Sequence, residues 1–235
     1  YFMFLYLEKK KMSNLVISGI FAGLAYNSYQ PGRIFVLIPL LLLFASIIKN
    51  RAILWKSAVY FLIPFFLLIL PLIVYLNIHK DTRFYQQFYP DNHEMNLQEK
   101  GQFFMRNLSS TLGIFHINGD VNGRHNYPNK AALNPILGVL FLSGLVIAIK
   151  KIKERKNQLF LLWFFLSLAP TLVTYPWENP NMLRTFTVIP SVVYFVGLTI
   201  KQLSNLSFLQ KPVLKKVFLL VAVIIVGASS FYELR

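Results

Sequence analysis

The sequence predicts an all-α, polytopic bundle of transmembrane helices. Three observations carry this: an apolar composition, apolar runs of span-like length, and the placement of the basic residues. Hydrophobic residues make up 55% of the chain and charged residues 14%, where a soluble domain carries roughly a quarter charged residues. Basic clusters recur after every second apolar stretch: Lys9-Lys10-Lys11, then Lys49 to Lys56, then Lys150 to Lys156, then Lys201 to Lys216. They hold 15 of the 24 Lys and Arg residues and only Glu8 and Glu154 as acids. By the positive-inside rule the clusters face the cytoplasm, which puts the long loop His79 to Leu133 on the other side. The net charge of +15 is therefore a topology signal and an attraction for anionic lipid. It is not the footprint of a nucleic-acid partner, and none is expected.

The elements follow in order. Tyr1–Leu7 reads as the tail of a span cut through its middle, so the chain is expected to be the C-terminal part of a longer protein. Ser13–Tyr29 and Ile34–Ile48 form a hairpin whose tip, 27–33, contains the turn signal Pro31-Gly32. Arms of 15 to 17 residues are marginal for a hydrocarbon core of about 30 Å at about 1.5 Å per residue. A thin or partly protein-buried hairpin fits them better than two lipid-bathed spans. Ser57–Ile78 is a full-length span containing Pro64 and Pro71, which kink a helix and free carbonyls for neighbouring helices to satisfy. These elements make an N-terminal set of transmembrane helices over 1–78.

The extracytoplasmic loop occupies 79–133. Phe84, Tyr85, Phe88 and Tyr89 cluster just beyond the membrane, where aromatic rings favour the interface. Leu97, Gly101, Phe104, Met105, Leu108 and Leu112 then fall on one helical face, with Gln98, Glu99, Gln102, Arg106 and Asn107 on much of the rest. That pattern predicts an interfacial helix lying on the bilayer or on the spans, and a cap that seals the bundle has the same pattern. The C-terminal transmembrane helices, 134–235, are Asn134–Ile149, Leu159–Tyr175, Arg184–Ile200 and Lys216–Tyr232. The count is seven spans plus the truncated first one.

Cysteine is absent, so there is no disulfide, thiolate zinc site or cysteine nucleophile. Ionisable side chains are nearly absent from the middle of the spans, where coupled transporters keep them. They gather instead in three outer patches. The first is the hairpin tip, where Arg33 stands beside Tyr29 and Gln30; its planar fork suits a phosphate, and snorkelling to the interface is the simpler reading. The second runs from Ile114 to Pro128 and contains His116, Asp120, Arg124, His125 and Asn126 between the turn pairs Asn118-Gly119 and Asn122-Gly123. His116, Asp120 and His125 lack a recognised metal-ligand spacing, and no metal site is assigned; Arg124 and His125 suit an anion better. The third is Tyr175 to Arg184, where an arginine at a helix start opposes the dipole and calls for an anion, either Glu178 or a bound phosphate. Asn107-Leu108-Ser109 is an acceptor-type triplet from which nothing is read.

The tip Asn27-Ser28-Tyr29-Gln30-Pro31-Gly32-Arg33 resembles the GT-C superfamily of membrane glycosyltransferases. So does Gly119-Asp120-Val121-Asn122-Gly123-Arg124-His125-Asn126-Tyr127-Pro128 followed by Leu133-Asn134-Pro135 and an apolar span. Asn181-Met182-Leu183-Arg184-Thr185 leading to Ile189-Pro190 is similar to a later stretch of the same group. The likeness is to protein O-mannosyltransferases and to the aminoarabinose transferases that modify lipid A, and it covers nearly the whole chain. It implies transfer of a sugar from a polyprenyl-phosphate donor to an acceptor on the outer face of a bacterial inner (plasma) membrane. In that superfamily an acidic general base lies in the first outer loop; no residue here matches it, and the fragment alone is expected to be inactive. The resemblance leaves to this chain the lipid-phosphate or substrate grip: Arg33, Arg124 and Arg184, with Tyr29, Gln30, Asp120 and His125 as partners. It does not identify the acceptor or fix a cofactor, a divalent metal staying open. The competing classes are an outer-face polymerase or ligase of lipid-linked glycans and a non-catalytic transporter.

Overall fold

The computed structural model describes residues 1–28, 30–49, 54–79, 87–125, 127–209 and 211–233. Helix accounts for 79% of these residues, and there is no strand among them. Each stretch read as a span overlaps a helix. Three of these helices are long and apolar enough to cross a membrane: Lys56–Ile78, Met182–Leu203 and Pro212–Phe231. Gly32–Ser46 and Pro135–Lys150 are apolar but shorter. Phe84 and Tyr85 lie outside the described residues, as do Tyr29 and Asn126.

The chain divides into two compact units, Tyr1–Gln86 and Gln87–Arg235. The first holds α1 (Phe2–Lys9), α2 (Met12–Ser28), a 3-10 segment (Gln30–Val36), α3 (Leu37–Lys49) and α4 (Leu54–Ile78). α1 stops where Lys10 takes a left-handed conformation and returns its N–H to the Tyr6 carbonyl. Its core gathers Met3, Tyr6, Leu15, Phe61, Phe65 and Ile69. α2 and α4 approach closely because position 19 is glycine: a Cβ there would lie 2.3 Å from the Phe61 carbonyl oxygen, the small-residue contact that membrane helices favour. Two polar bonds hold α4 in place, Tyr6 of α1 to Ser57 at 2.6 Å and Asn27 Nδ2 of α2 to the Leu68 carbonyl at 2.9 Å. Pro31-Gly32 does not make the tight turn expected of it. It lies in the 3-10 segment, and α3 starts at Leu37. Proline lacks the N–H that a first helical turn does not use and already has helical φ, so it opens helical backbone as readily as a turn.

The second unit holds α5 (Leu97–Gly113), α6 (Pro135–Lys150) and α7 (Arg155–Leu172). α8 (Met182–Thr185) then runs through a 3-10 turn (Phe186–Val188) into α9 (Ile189–Leu203), and α10 (Pro212–Glu233) follows. α5 opens with a reciprocal capping box, Asn96 Oδ1 accepting from the Glu99 N–H and Glu99 Oε2 from the Asn96 N–H, both at 2.9 Å. α6 opens with Asn134 accepting from the Leu137 N–H at 2.9 Å and with proline at its first position, which gives the Asn134-Pro135 pair a plain physical role. α6 and α9 cross at Gly144, where a Cβ would stand 1.8 Å from the Phe195 carbonyl oxygen. Around that crossing pack Phe115, Phe141, Phe164, Phe195 and Leu168.

This unit has two unlike ends. At one, the basic turn after α6 meets the end of α9 through Lys151 Nζ and Gln202 Oε1, 3.1 Å apart, and Lys215 Nζ reaches Asn205 Oδ1 at 2.9 Å. At the other, the end of α7, the start of α8 and the loop before α6 come together. That second end carries the candidate site.

Candidate functional site

A helix leaves its last carbonyls without partners, and a buried end must find them elsewhere. α7 ends just after Pro170, and side chains from three other segments supply its donors. Asn107 of α5 gives its amide to the Thr174 carbonyl at 2.6 Å and the Leu172 carbonyl at 3.2 Å. Asn179 Nδ2 reaches the Thr171 carbonyl at 2.7 Å and Asn107 Oδ1 at 2.9 Å. The Tyr89 hydroxyl donates to the Leu172 carbonyl at 3.0 Å, and Thr111 and Thr171 share a hydrogen bond of 2.9 Å. Burial pushes the Tyr89 phenol above its usual range. Phe103, Tyr175 and Trp177 close round this seam, the last two stacked 4.4 Å apart. The sequence placed Asn107 on the exposed polar part of its helix; the structure buries it completely. Its amide is taken up by two backbone carbonyls, so it is out of reach as an acceptor.

Beside the seam lies a charged cluster built on Asp120, which is 2% exposed. The loop that holds it is stiffened by its own backbone: the Ala132 N–H donates to the Ile114 carbonyl at 2.8 Å and the Asn129 N–H to that of Asp120 at 3.0 Å, with Asn129 in the left-handed region that asparagine tolerates. One carboxylate oxygen of Asp120 accepts from the Asn122 N–H at 2.8 Å, shaping the turn. The other accepts from His125 Nδ1 and from the Met182 N–H, both at 2.8 Å. Asp120 thus ties the Gly119–His125 loop to the first turn of α8, where a carboxylate also suits the helix dipole. With Nδ1 committed to the carboxylate, the histidine's further chemistry is at Nε2.

Arg184 stands two residues into α8. Its N–H is capped by Asn181 Oδ1 at 3.0 Å, and its guanidinium pairs with Glu178 through Nη2. Nη1 is buried and has no hydrogen-bond partner among the described residues. A guanidinium anchored through one arm with the other donor unsatisfied is prepared for an anion, because the fork takes a phosphate or carboxylate with two parallel bonds. Thr187 Oγ1 and Ser191 Oγ are also buried without partners among the described residues. They follow Arg184 at spacings of three and four along one helical face. The Thr187 carbonyl, which Ser191 would ordinarily use, accepts instead from Trp163 Nε1 at 2.8 Å.

The other expected residues fall as follows. Arg124 is exposed, its N–H bonded to Asn122 Oδ1 at 3.0 Å. Arg33, in the first unit, has its guanidinium 5.3 Å from the Tyr26 ring centre and its buried Nε without a partner among the described residues. Gln30 begins the 3-10 segment, and Tyr29 lies outside the described residues. His116 is taken up structurally, its Nε2 lying 3.1 Å from the Gly138 carbonyl oxygen and its ring against Phe141. Among the described residues no three His, Asp or Glu side chains are grouped to hold a metal ion.

Sequence reasoning brought Asp120, His125 and Arg184 forward but missed what joins them, the Asp120 bond to the α8 backbone. It also missed Thr187 and Ser191, whose one signal was their spacing from Arg184. No protein-family model, curated protein or solved structure matches this chain.

Proposed function

We propose that this protein is part of an outer-face membrane glycosyltransferase that uses a polyprenyl-phosphate sugar as donor, and that the Asp120–His125–Arg184 cluster grips the donor's phosphate. In this reading the chain crosses a bacterial inner membrane seven times after a first partial span, with 79–133 outside. The three long apolar helices, the last of them with none of its span buried in the protein, support membrane insertion. The contact between the basic ends of α6 and α9 supports a common cytoplasmic side for them.

One observation carries the proposal: a buried guanidinium donor at Arg184 with no partner among the described residues, two residues after Met182, whose N–H bonds the same Asp120 carboxylate as His125. An unpaired buried charged donor costs free energy that a bound anion would recover. Arg184 would offset charge on the leaving lipid phosphate, and His125 Nε2 would hydrogen-bond it. Arg33 and Arg124 are the further candidates for contacts to the donor.

The experiment is binding of a polyprenyl-phosphate sugar to the protein in nanodiscs, beside Arg33→Ala, Arg124→Ala and Arg184→Ala, each checked for folding. Saturable binding that weakens about tenfold or more, some 1.4 kcal/mol, in a folded variant supports the reading and locates the phosphate. Folded wild-type protein that binds no donor overturns it.

A further inference from the structure

α5 has three faces. Lys100, Phe103, Asn107, Thr111 and, just past its end, Ile114 mark the face turned to the protein, where Asn107 and Thr111 make the bonds to the end of α7. Gln98, Gln102, Arg106 and Ser109 are exposed and polar. Leu97, Phe104, Met105 and Leu112 are exposed and apolar, with 87, 62 and 65% of Leu97, Met105 and Leu112 open. At about 100° per residue, the centres of these faces are separated by roughly a third of a turn each.

An ordinary surface helix needs only two faces, apolar toward the core and polar toward water. Here the helix is fastened to its protein through buried amide and hydroxyl groups, and its apolar face points elsewhere. A helix beside a bundle, lying in the plane of a membrane surface, meets three surroundings: protein at its side, lipid below and water above. The level also fits. α5 is bonded to the carbonyls of Leu172 and Thr174, and the short connection from there leads to Met182, where a helix long enough to span a membrane begins. The end of a span is the membrane boundary. Trp177, two-thirds exposed and ring to ring with Phe103 of α5, stands where amphipathic rings favour the headgroup layer.

We infer that α5 is a membrane-interface helix whose Leu97–Phe104–Met105–Leu112 face is seated in the boundary between lipid headgroups and acyl chains. The polar seam then has a purpose: it fixes the depth of the Asp120–Arg184 cluster relative to the lipid phosphates. The inference rests on the membrane-spanning part of the proposed function and is independent of sugar transfer.

The chain contains no cysteine, so single-cysteine variants need no background changes. Nitroxide labels at Met105→Cys, Leu112→Cys, Gln102→Cys and Arg106→Cys, with Val193→Cys as a control on the long helix, are read in phosphatidylglycerol–phosphatidylethanolamine vesicles. Collision with oxygen reports lipid, and collision with a nickel chelate reports water. The expected result is oxygen preference at 105, 112 and 193 and nickel preference at 102 and 106. Oxygen preference at 193 with nickel preference at 105 and 112 overturns the interface helix while leaving the spans standing. Labels at 105 and 112 shielded from both reagents overturn it too, since protein then covers the face. Nickel preference at 193 overturns the membrane reading itself, and this inference with it.

Discussion

The seam at the end of α7 and the charged cluster at the start of α8 sit side by side, and both bury polar groups, yet they differ in how those groups are satisfied. In the seam, neutral amides and hydroxyls meet backbone carbonyls, and Asn107 spends its amide on two of them and its oxygen on Asn179. In the cluster the groups are ionisable, and its strongest donor, Arg184, keeps one nitrogen without a partner among the described residues. The seam's neutral bonds are complete but for Asn179 Oδ1, which has no partner among the described residues, and such bonds rigidify a fold. A buried charged donor left open is a cost that persists where something else completes it. The seam holds the end of the unit together, and the cluster is where we propose that a ligand adds to it.

The comparison can be broken most sharply at Asn107. Asn107→Leu keeps the volume but takes the side-chain donor from the Thr174 carbonyl, one of two from the Leu172 carbonyl and an acceptor from Asn179, and unfolding in detergent should show a loss of about 3 kcal/mol, with donor affinity per folded molecule unchanged. Asp120→Ala should cost less, about 2 kcal/mol, and should also weaken donor binding, because the loop and α8 lose their tie. Asp120→Asn has one acceptor oxygen where the carboxylate uses two, so it keeps a partner for either the Asn122 or the Met182 N–H and should restore only part of the stability, without the ion pair to His125. Arg184→Ala should change stability by no more than about 0.5 kcal/mol, since Glu178 is left partly open to water, while affinity for a polyprenyl-phosphate sugar falls at least about tenfold. Arg184→Lys should not rescue it, because an ammonium lacks the fork.

The smallest effect concerns pH. Burial raises the Tyr89 phenol, so folding favours its protonated form. Its contribution is complete below the ordinary phenol range and is lost as pH rises through the raised folded value. Tyr89→Phe should lower stability by less than about 1.5 kcal/mol near neutral pH and should remove part of the wild-type protein's alkaline decline. Equal alkaline slopes for the two proteins would contradict this assignment.

Much of this architecture was legible beforehand, and the reason is periodicity. Apolar runs and the lysines that punctuate them mark where helices start and stop to within a few residues, and every stretch read as a span overlaps a helix. The turn at Pro31 was not legible, because proline opens a 3-10 turn and a tight turn equally well. The role of Asn107 was not legible either. Helical spacing sorts residues by polarity, and an amide that serves helix carbonyls on another segment looks like any solvent-facing amide. Asp120 and Arg184 were visible as charges near turns. That Asp120 caps the backbone of Met182, 62 positions away, is a tertiary fact that no local pattern encodes.

The most direct test is a crossed measurement of donor binding and unfolding on Arg184→Ala and Asn107→Leu in nanodiscs, at a temperature where both are folded. The account predicts opposite outcomes: Arg184→Ala keeps its melting behaviour and loses polyprenyl-phosphate-sugar affinity, and Asn107→Leu melts early but binds the donor like the wild type. Equal loss of both properties in the two variants, or full donor affinity in Arg184→Ala, would contradict it.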